Sequence, residues 1–372
     1  MSGMEVLSED KCATLKDGVS GIMRVKDDAE FVEMCIDSCI DALDELVIVY
    51  NECSDNTPAL IEKKRLQYPD KIKVYEYKYK VYAVNLSKEE YEYALGLPDD
   101  SPHLLSNYYN FALSKVSYKY AVKIDADQLY FTSQLKKWCD ICRGGNVSVN
   151  YIWYVLGFLF NLYFVCFKYL CFKTNKVFPL LPLWCVQVFY PFYLEYVKVQ
   201  VRKGKACLSL SGVNVIKDGE KWYVSLGYRN DVINILPPFN GEGDHLIFKV
   251  SVQTYYEKFS MPYYNLLTSG RYSLIESFVH PYKTLCVGFS WFHLNAMREK
   301  CRNMVLQVKS KKQNCFMELN QFLSKKYEYI LNKIDKDMCT NRQCTLFMFI
   351  FKSDSTSLKQ NISFLKKYDS NK

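Results

Sequence analysis

An apolar run that stops on two carboxylates constrains the fold of this chain more than any other feature. The run Tyr120–Ile124 predicts a buried strand, and Asp125 and Asp127 follow it directly. Open α/β sheets bind their ligands at the carboxyl ends of such strands. Two carboxylates separated by one residue can hold a hard divalent ion, which can neutralise a diphosphate. An ordinary acidic turn is the alternative, so the preceding sequence has to decide.

The preceding sequence predicts a parallel sheet, because apolar strands and amphipathic helices alternate in it. A polar stretch over 83–102, which we expect to be mobile, separates the last predicted helix from the others. The order of helix, buried strand and paired carboxylates favours a nucleotide site over a simple turn. In chain order the predicted elements are strand 18–25, helix 29–43, strand 45–50, helix 58–68, strand 71–77 and helix 104–116.

Composition excludes a disordered chain, since 49% of the 372 residues are hydrophobic and 24% are charged. Such a length can bury one large domain with an appendage, or two domains. The 15 cysteines are scattered, which predicts reduced thiols in a cytoplasmic compartment. The pairs Cys35/Cys39 and Cys139/Cys142 could be halves of a metal site, but buried helix thiols are the better interpretation. Residues 1–10 lack the features of a cleaved export signal.

Positive charge is concentrated at the end of the chain. From Ala296 onward there are 16 Lys and Arg against 7 Asp and Glu, while the whole chain has a formal net charge of +8. A basic tail suits an anionic membrane surface or a nucleic acid. The apolar patch Leu346–Phe351 within it favours peripheral membrane binding, with solvated helices as the alternative. We expect no nucleic-acid partner.

The segment 144–205 is unusually apolar. It has no acidic residue from Gly144 to Leu194, and Gly144–Phe167 carries no charge at all. Those 24 residues would span about 36 Å as a helix, enough to cross a hydrocarbon core of about 30 Å. A second uncharged run, Val177–Leu194, is interrupted by prolines. A spanning hairpin, an aromatic hairpin in the membrane plane and a core hairpin of a globular enzyme all remain open. Excess Lys and Arg beside the sheet permit a cytoplasmic orientation.

Four motifs carry a resemblance to a known family: Ile22–Ala29, Val49–Asp55, Tyr108–Asn110 and Lys123–Asp127. In these motifs the chain is similar to the bacterial β-1,4-N-acetylgalactosaminyltransferases that build ganglioside-like lipooligosaccharide. The similarity covers about 18–140 well and 206–300 more loosely, and it implies a glycosyltransferase A fold. Most related transferases have an acidic residue where this chain has Asn51, but the narrower family also has Asn there.

The resemblance also implies a set of site residues. Asp125 and Asp127 would hold Mn²⁺ or Mg²⁺ against the diphosphate of a UDP-sugar, and His293 would be a third ligand. His280 is a less favoured ligand, and Arg271 and Lys283 are candidate diphosphate contacts. The residues expected to bind the nucleotide-sugar are Arg24, Asn51, Asp55, Tyr109, Asn110 and Asp125.

The motif Asn240–His245 is a candidate for the catalytic base. Its two glycines allow close backbone approach to a sugar, and an inverting transferase needs a carboxylate to take the proton of the acceptor hydroxyl. The resemblance favours Asp244 over Glu242, with a helix beginning at about His245. A glycine turn with Asp244 as helix N-cap is the alternative.

Together these inferences predict a metal-dependent inverting glycosyltransferase of α/β fold on the cytoplasmic face of a membrane. Its acceptor would be a galactose-terminated glycolipid or oligosaccharide. A transferase that uses a polyprenyl-phosphate carrier, and a non-catalytic membrane-anchored binding protein with the same fold, are the alternatives. Oligomeric state is left open. The predicted parts are a nucleotide-sugar half over 15–143, the hydrophobic insertion over 144–205, an acceptor half over 206–296 and the basic tail over 297–372.

Overall fold

The chain divides into two compact units. Unit 1 comprises Met1–Arg143, Asn230–Asn234 and Asp244–Tyr282, and unit 2 comprises Gly144–Arg229, Ile235–Gly243 and Lys283–Lys372. The predicted four-part division stays a prediction. The computed structural model describes residues 7–84, 86–144, 150–174, 183–229, 234–235, 237–240, 245–261, 272–324, 329–330, 333–334 and 357–365.

The helices are α1 (Glu9–Ala13), α2 (Val32–Cys39), α3 (Thr57–Gln67), α4 (Lys88–Leu95), α5 (Leu105–Ser114), α6 (Thr132–Arg143), α7 (Tyr151–Thr174), α8 (Leu183–Arg202), α9 (Glu299–Lys311) and α10 (Leu319–Ser324), with short 3-10 helices at Ile40–Ala42, Asn295–Met297 and Gln313–Cys315.

The strands are β1 (Lys16–Val25), β2 (Glu45–Tyr50), β3 (Ile72–Glu76), β4 (Tyr118–Asp125), β5 (Gln128–Tyr130), β6 (Ala206–Asp218), β7 (Lys221–Ser225), β8 (Tyr228–Arg229), β9 (Asn234–Ile235), β10 (Phe239–Asn240), β11 (Leu246–Lys249), β12 (Tyr255–Met261), β13 (Ser273–Val279), β14 (Lys283–His293) and β15 (Phe316–Glu318).

Unit 1 is built on a sheet of order β11-β4-β1-β2-β3. Strands β4, β1, β2 and β3 run parallel, and β11 is antiparallel to β4. The interior of β2 is buried because its side chains are apolar on both faces, as parallel strands covered by helices require. The parallel strands therefore end at one edge, which we call the carboxyl edge and define by Val25, Tyr50 and Asp125. This architecture confirms the predicted α/β fold.

Two local predictions about unit 1 are wrong. The stretch 83–102, predicted to be a mobile connection, contains α4, which begins with a capping box between Ser87 and Glu90. One face of α4 is buried in a small core with Leu104 and Leu274. The helix predicted from about His245 is instead strand β11, because Leu246–Lys249 pairs with the apolar middle of β4.

Unit 2 contains a sheet centred on β6. Strand β7 forms a hairpin with β6, and Gly219 in the turn has φ of 58°, a conformation that favours glycine. Strand β14 runs parallel to β6, β10 is antiparallel to β6, and β15 is antiparallel to β7. The apolar segment 144–205 supplies α7 and α8, which pack against each other. Helix α8 also packs against β6.

Candidate active site

Charged side chains converge at the carboxyl edge of the unit 1 sheet. In the parallel pairing of β1 and β4, Arg24 lies opposite Asp125, the last residue of β4. Lys123 is two residues earlier on the same strand, so its side chain points to the same face as Asp125. The register of two parallel strands thus places an arginine, a lysine and a carboxylate side by side.

Asp125 is held as an anion. Its Oδ2 atom lies 2.9 Å from Nε2 of His245 and 3.8 Å from Nζ of Lys123. Burial would raise the pKa of this carboxyl, but the charges of Lys123 and Arg24 and the bond to His245 outweigh burial and hold the pKa well below its usual range. Asp125 is therefore ionised at neutral pH and its side chain is 26% exposed, so a ligand can reach it.

A buried hydrogen-bond network positions His245. Nε2 of Gln128 lies 2.7 Å from Nε2 of His245, and the Tyr130 hydroxyl donates to Oε1 of Gln128 at 2.5 Å. The backbone N–H of Asp125 donates to the same hydroxyl oxygen at 3.4 Å. His245, Gln128 and Tyr130 are all buried. Nε2 of His245 faces both Asp125 and Gln128 and can hydrogen-bond only one of them at a time, while the two contacts together fix the position of the ring.

Lys123 is a buried cation with two acidic neighbours. It is 4% exposed, and its Nζ lies 3.3 Å from Oε1 of Glu276 on β13. A buried ammonium is costly unless it is paired and hydrogen-bonded, so Asp125 and Glu276 compensate it. Sequence reasoning named neither Lys123 nor Glu276 as a functional residue. A lysine inside a buried apolar strand was the signal that could have found the first.

Arg24 is a second fixed cation. Its guanidinium carbon lies 5.2 Å from the ring centroid of Tyr109 and 5.8 Å from that of Tyr108. Burial alone would lower its pKa, but Tyr109 and Glu276 raise it above the usual value. Among the residues that the structure describes, its buried Nε has no hydrogen-bond partner. Tyr109 is itself stacked on Tyr256, with centroids 4.7 Å apart.

The carboxyl edge carries residue types that a hard divalent ion prefers. Asp127 is 7% exposed and lies in the turn between β4 and β5, two residues after Asp125. Two carboxylates with a neighbouring imidazole, His245, suit Mn²⁺ or Mg²⁺ by type, but their ligand atoms do not all lie within 4.8 Å of one another in the described part of the chain. Sequence reasoning missed His245 as a neighbour of the carboxylates and chose His293. His245 is the last residue of the glycine motif that the sequence analysis singled out for the base.

His293 belongs to unit 2. Its Nδ1 lies 2.8 Å from Oδ1 of Asn214 on β6, the strand that pairs with β14. Its role as a metal ligand stays a prediction. Lys283 begins β14 in the same unit and is exposed, while His280 of unit 1 stacks on Phe278 and Tyr282.

Asn51 holds the backbone that follows β3. Its Nδ2 donates to the carbonyl oxygens of Tyr77, at 2.6 Å, and Tyr79, at 2.8 Å. The side chain is fully buried, and its Oδ1 has no hydrogen-bond partner within the described part of the chain. An amide oxygen left without a donor at the carboxyl edge fits the predicted nucleotide contact.

Asp55 ties two loops of the same edge together. Its Oδ2 accepts from the N–H of Ala29 at 3.0 Å, and its Oδ1 accepts from the N–H of Thr57 at 2.9 Å. Burial would raise the pKa of Asp55, but these bonds outweigh it and lower the pKa. Asp27, Cys53 and Asp55 also bring potential metal-ligating atoms within 4.8 Å of one another. That group is separate from the Asp125–Asp127 pair.

Asn110 brackets a neighbouring strand. Its Nδ2 donates to the carbonyl of Tyr256 at 2.8 Å, and its Oδ1 accepts from the N–H of Tyr256 at 2.8 Å. Asn110 also lines a cavity of about 430 Å³ with Asn107, Asp99 and Lys258. Its predicted contact with the nucleotide-sugar stays a prediction.

Some predicted residues lie outside the described part of the chain: Glu242, Asp244, Arg271 and the patch Leu346–Phe351. The cysteine interpretation is confirmed, because Cys35, Cys39, Cys139 and Cys142 are buried free thiols. Burial raises the pKa of Cys139 to about 12, which makes it a weak metal ligand.

The parallel sheet, with charged side chains at its carboxyl edge, defines an α/β fold of the kind that binds ligands at the carboxyl ends of its strands. Residues 8–173 match the family model described as Beta-1,4-N-acetylgalactosaminyltransferase (CgtA). The match confirms the resemblance inferred from the sequence motifs.

Solved structures give weaker similarities. S. aureus TarS 1–349 in complex with UDP is 16% identical over 33% of this chain and 31% of that one, with a TM-score of 0.22. Glucosyl-3-phosphoglycerate synthase from Mycobacterium tuberculosis, in complex with Mn²⁺, UDP and glucosyl-3-phosphoglycerate, is 17% identical over 32% and 36%, with a TM-score of 0.19. A second structure of S. aureus TarS 1–349 is 10% identical over 92% of both chains, with a TM-score of 0.29. The first two alignments thus span about a third of the solved chains. No curated protein sequence matches.

Proposed function

We propose that the protein is a metal-dependent inverting glycosyltransferase that moves N-acetylgalactosamine, or a related hexose, from a UDP-sugar to a galactose-terminated glycolipid or lipooligosaccharide. The observation that carries the proposal is the fixed Asp125 carboxylate, flanked by His245, Lys123 and Arg24 at the carboxyl edge of a parallel sheet. The family match over residues 8–173 supports the donor sugar.

Asp125 and Asp127 would hold Mn²⁺ or Mg²⁺. When bound, the ion would act as a Lewis acid and neutralise charge on the diphosphate of the departing UDP. Lys123 and Arg24 compensate the clustered carboxylates, so the edge can accept an anionic donor without excess negative charge. These cations are fixed before the substrate binds, which lowers the cost of reorganisation.

Asn51 supports recognition of the nucleobase. The Oδ1 atom of Asn51, which has no hydrogen-bond partner among the described residues, can accept a hydrogen bond from the imide N–H of a pyrimidine. The amide nitrogen is already committed to the backbone of Tyr77 and Tyr79, so the orientation of the amide is fixed. Asp55 and Tyr109 would lie beside the nucleotide-sugar in this proposal.

The transfer itself needs a base and no covalent intermediate. The acceptor hydroxyl oxygen would form a bond to the anomeric carbon while the bond from that carbon to UDP breaks, and UDP would leave with the electron pair. Asp244 would accept the proton of the acceptor hydroxyl, with Glu242 as the alternative base. That assignment rests on the sequence resemblance.

The acceptor class implies a membrane location, which we propose to be the cytoplasmic face. Among the described residues, Tyr151–Leu170 is long and apolar enough to cross a bilayer. The basic tail after Ala296 supports attraction to anionic lipid headgroups. A polyprenyl-phosphate acceptor is the competing proposal, and the same apolar helix supports it.

A donor and acceptor screen tests the proposal. The purified chain is incubated with UDP-N-acetylgalactosamine, UDP-galactose or UDP-glucose, with and without Mn²⁺, and with galactose-terminated, sialylated or polyprenyl-phosphate acceptors. We expect metal-dependent transfer to the galactose-terminated acceptors, loss of transfer in Asp125→Ala, and retention in Asp70→Ala, an exposed carboxylate on a turn. Transfer only to polyprenyl phosphate would favour the competing acceptor. No turnover with any donor, together with unchanged UDP binding in Asp125→Ala, would leave only a binding protein.

A further inference from the structure

Helix α7 presents an apolar face to solvent. Its side chains carry no charge from Tyr151 to Phe167, and the most apolar window of the span Tyr151–Leu170 is only 17% buried inside the protein. Tyr151 is 74% exposed, Ile152 is 69% exposed and Tyr169 is 60% exposed. A helix that is apolar all round requires apolar surroundings all round. Within the described residues, the protein covers one side of α7 and leaves the other exposed.

The covered side of α7 packs closely on α8. Phe160 and Phe164 are buried, and the Phe160 ring lies 5.8 Å from that of Phe189. A Cβ atom added to Gly157 would lie 2.0 Å from the carbonyl oxygen of Phe192. The two helix backbones are therefore in direct contact, and α7 cannot move away without losing this interface.

Helix α8 is in turn fixed to the unit 2 sheet. The Tyr190 hydroxyl donates to the carbonyl of Val287 at 3.1 Å, and the Tyr193 hydroxyl donates to the carbonyl of Cys286 at 2.9 Å. The pairing of β14 with β6 shifts register between Cys286 and Phe289, so these carbonyls lie where the ladder is irregular. The hydroxyls satisfy buried acceptors there, which anchors α8 to a bulge.

This anchoring decides between the two membrane arrangements that the sequence left open. A bilayer-crossing hairpin would place both helices in hydrocarbon, but Tyr190, Tyr193 and the residues that follow in α8 are packed on the sheet. The rings of Tyr154 and Phe160 in α7 lie against Tyr196 and Tyr193 of α8, so the first half of α7 runs beside the part of α8 that packs on the sheet. One face of α7 remains for lipid, which is the geometry of a helix in the membrane plane.

Charge supports a lipid surface as the occupant. No acidic residue occurs from Gly144 to Leu194. The ammonium of Lys173 lies 5.8 Å from the Tyr169 ring, and that of Lys203 lies 6.0 Å from the Tyr154 ring. Tyr154 and Tyr169 are 15 positions apart on α7, or about 22 Å. Exposed cations thus lie near both ends of the apolar helix, where they can reach anionic headgroups.

A second protein copy fits this face less well. Protein interfaces have a polar rim and about one hydrogen bond per 100–200 Å². The exposed hydrogen-bonding rings of α7, Tyr151, Trp153 and Tyr169, lie near its two ends. Between them the exposed face offers Val155, Leu159, Leu162 and Val165, which have no hydrogen-bonding side chains. We propose that α7 docks in the plane of an anionic bilayer, with this face among the acyl chains and Lys173 and Lys203 at the headgroups. The proposal names the membrane as the partner that presents the glycolipid acceptor, and in that respect it rests on the proposed function.

Vesicle sedimentation tests the docking. The full chain is mixed with phosphatidylcholine vesicles that contain either no phosphatidylglycerol or about 30% of it. We expect binding to the anionic vesicles, at least a tenfold loss in the Ile152→Glu/Leu159→Glu variant, and no loss in Leu66→Glu/Tyr93→Glu, which makes the same charge change at exposed positions of α3 and α4. Equal binding of both double variants would overturn the proposal. Absence of vesicle binding, with a wild-type dimer that Ile152→Glu/Leu159→Glu dissociates, would assign the face to a second copy.

Labelling distinguishes docking from spanning. Tyr151→Cys and Thr174→Cys, at the two exposed ends of α7, are made separately in a Cys166→Ser background and treated with a membrane-impermeant maleimide outside sealed vesicles. If α7 lies in the membrane plane, both variants label more strongly than the Cys166→Ser background. Protection of one end from the maleimide would overturn the in-plane arrangement. Transfer to a soluble oligosaccharide acceptor should be unchanged in Ile152→Glu/Leu159→Glu. Loss of vesicle binding with retained transfer separates failure of docking from failure of the proposed function.

Discussion

The Nε2 atom of His245 lies 2.9 Å from the Oδ2 atom of Asp125, although 120 positions separate the two residues. The contact arises because β11, which begins right after His245, pairs antiparallel with β4, which ends at Asp125. The start of one strand is therefore placed beside the end of the other. The imidazole is buried and held by Gln128, so its position is set before any ligand binds.

Replacement of His245 should weaken the metal site without removing its carboxylates. Residues that orient a metal ligand typically contribute 10- to 100-fold to metal affinity or activity. We expect His245→Gln to lower Mn²⁺ affinity and turnover by about 10-fold or more. Calorimetric titration with Mn²⁺ and initial rates measure the two effects. His103 of the same unit is half-buried, with Nδ1 2.8 Å from the carbonyl of Lys80 and its ring beside Tyr79 and Tyr82, so His103→Gln is the control. Unchanged Mn²⁺ affinity in a folded His245→Gln would contradict a role at the metal.

The pairing of Lys123 with Glu276 should be visible in stability. Removing one partner of a buried ion pair leaves an uncompensated charge and costs about 3–5 kcal/mol. Because Asp125 still neighbours Lys123 in Glu276→Gln, we expect a loss near the lower limit, about 3 kcal/mol, in the free energy of unfolding.

Urea unfolding of a double-mutant cycle measures this coupling. The variant Lys123→Met/Glu276→Gln should be less destabilised than Glu276→Gln alone, because the buried cation is removed with its partner. Additive losses from the two single substitutions would show that the pair is not coupled.

Asp55 should make the start of α3 sensitive to acid. Its pKa is lowered in the folded protein, so the unfolded chain takes up a proton first as the pH falls below about 4. The stability that Asp55 contributes is therefore fully present above that pH and is lost as the pH falls further toward the folded-state pKa. The difference in unfolding free energy between wild type and Asp55→Asn should be constant from pH 8 to 5 and shrink below pH 4. A difference that grows on acidification would refute the assignment.

Asn51 and Tyr108 separate binding from stability at the same edge. The Tyr108 hydroxyl donates to the carbonyls of Val25 and Val49, so both side chains hold strand ends. Loss of such buried partners costs about 1–3 kcal/mol in either Asn51→Ala or Tyr108→Phe. Only Asn51→Ala should also weaken the binding of UDP, by about 10-fold for one lost hydrogen bond. Equal UDP affinities in the two variants, measured by calorimetry, would remove Asn51 from the binding site.

The parallel sheet was predictable because its signals are local. An apolar strand, a polar turn and an amphipathic helix recur in the first eighty residues, and each is encoded within about ten positions. The capping box of α4, between Ser87 and Glu90, is also local, but the polar composition around it favoured a loop. The buried face of α4 depends on Leu274, which lies far away in the chain.

The candidate site was only partly predictable, because its charge balance is non-local. Asp125 and Asp127 follow a recognisable strand, but their compensation by Lys123, Glu276 and His245 depends on strands that meet only after folding. The glycine motif that ends at His245 suggested a helix start, whereas Leu246–Lys249 pairs with β4. The histidine of that motif was therefore assigned no contact with the carboxylates.

Replacing Gly157 with alanine tests the α7–α8 interface. Alanine for glycine usually stabilises a helix, but here we expect it to destabilise the protein. Alanine normally stabilises a helix interior by about 1 kcal/mol relative to glycine. At Gly157 an added Cβ would lie 2.0 Å from the Phe192 carbonyl oxygen, so the helices would have to separate. We therefore expect Gly157→Ala to lower the melting temperature. In Gly96→Ala the nearest atom to the added Cβ is 3.5 Å away, so that variant should have little effect. A stabilised Gly157→Ala would mean that α7 is not in contact with α8 in solution.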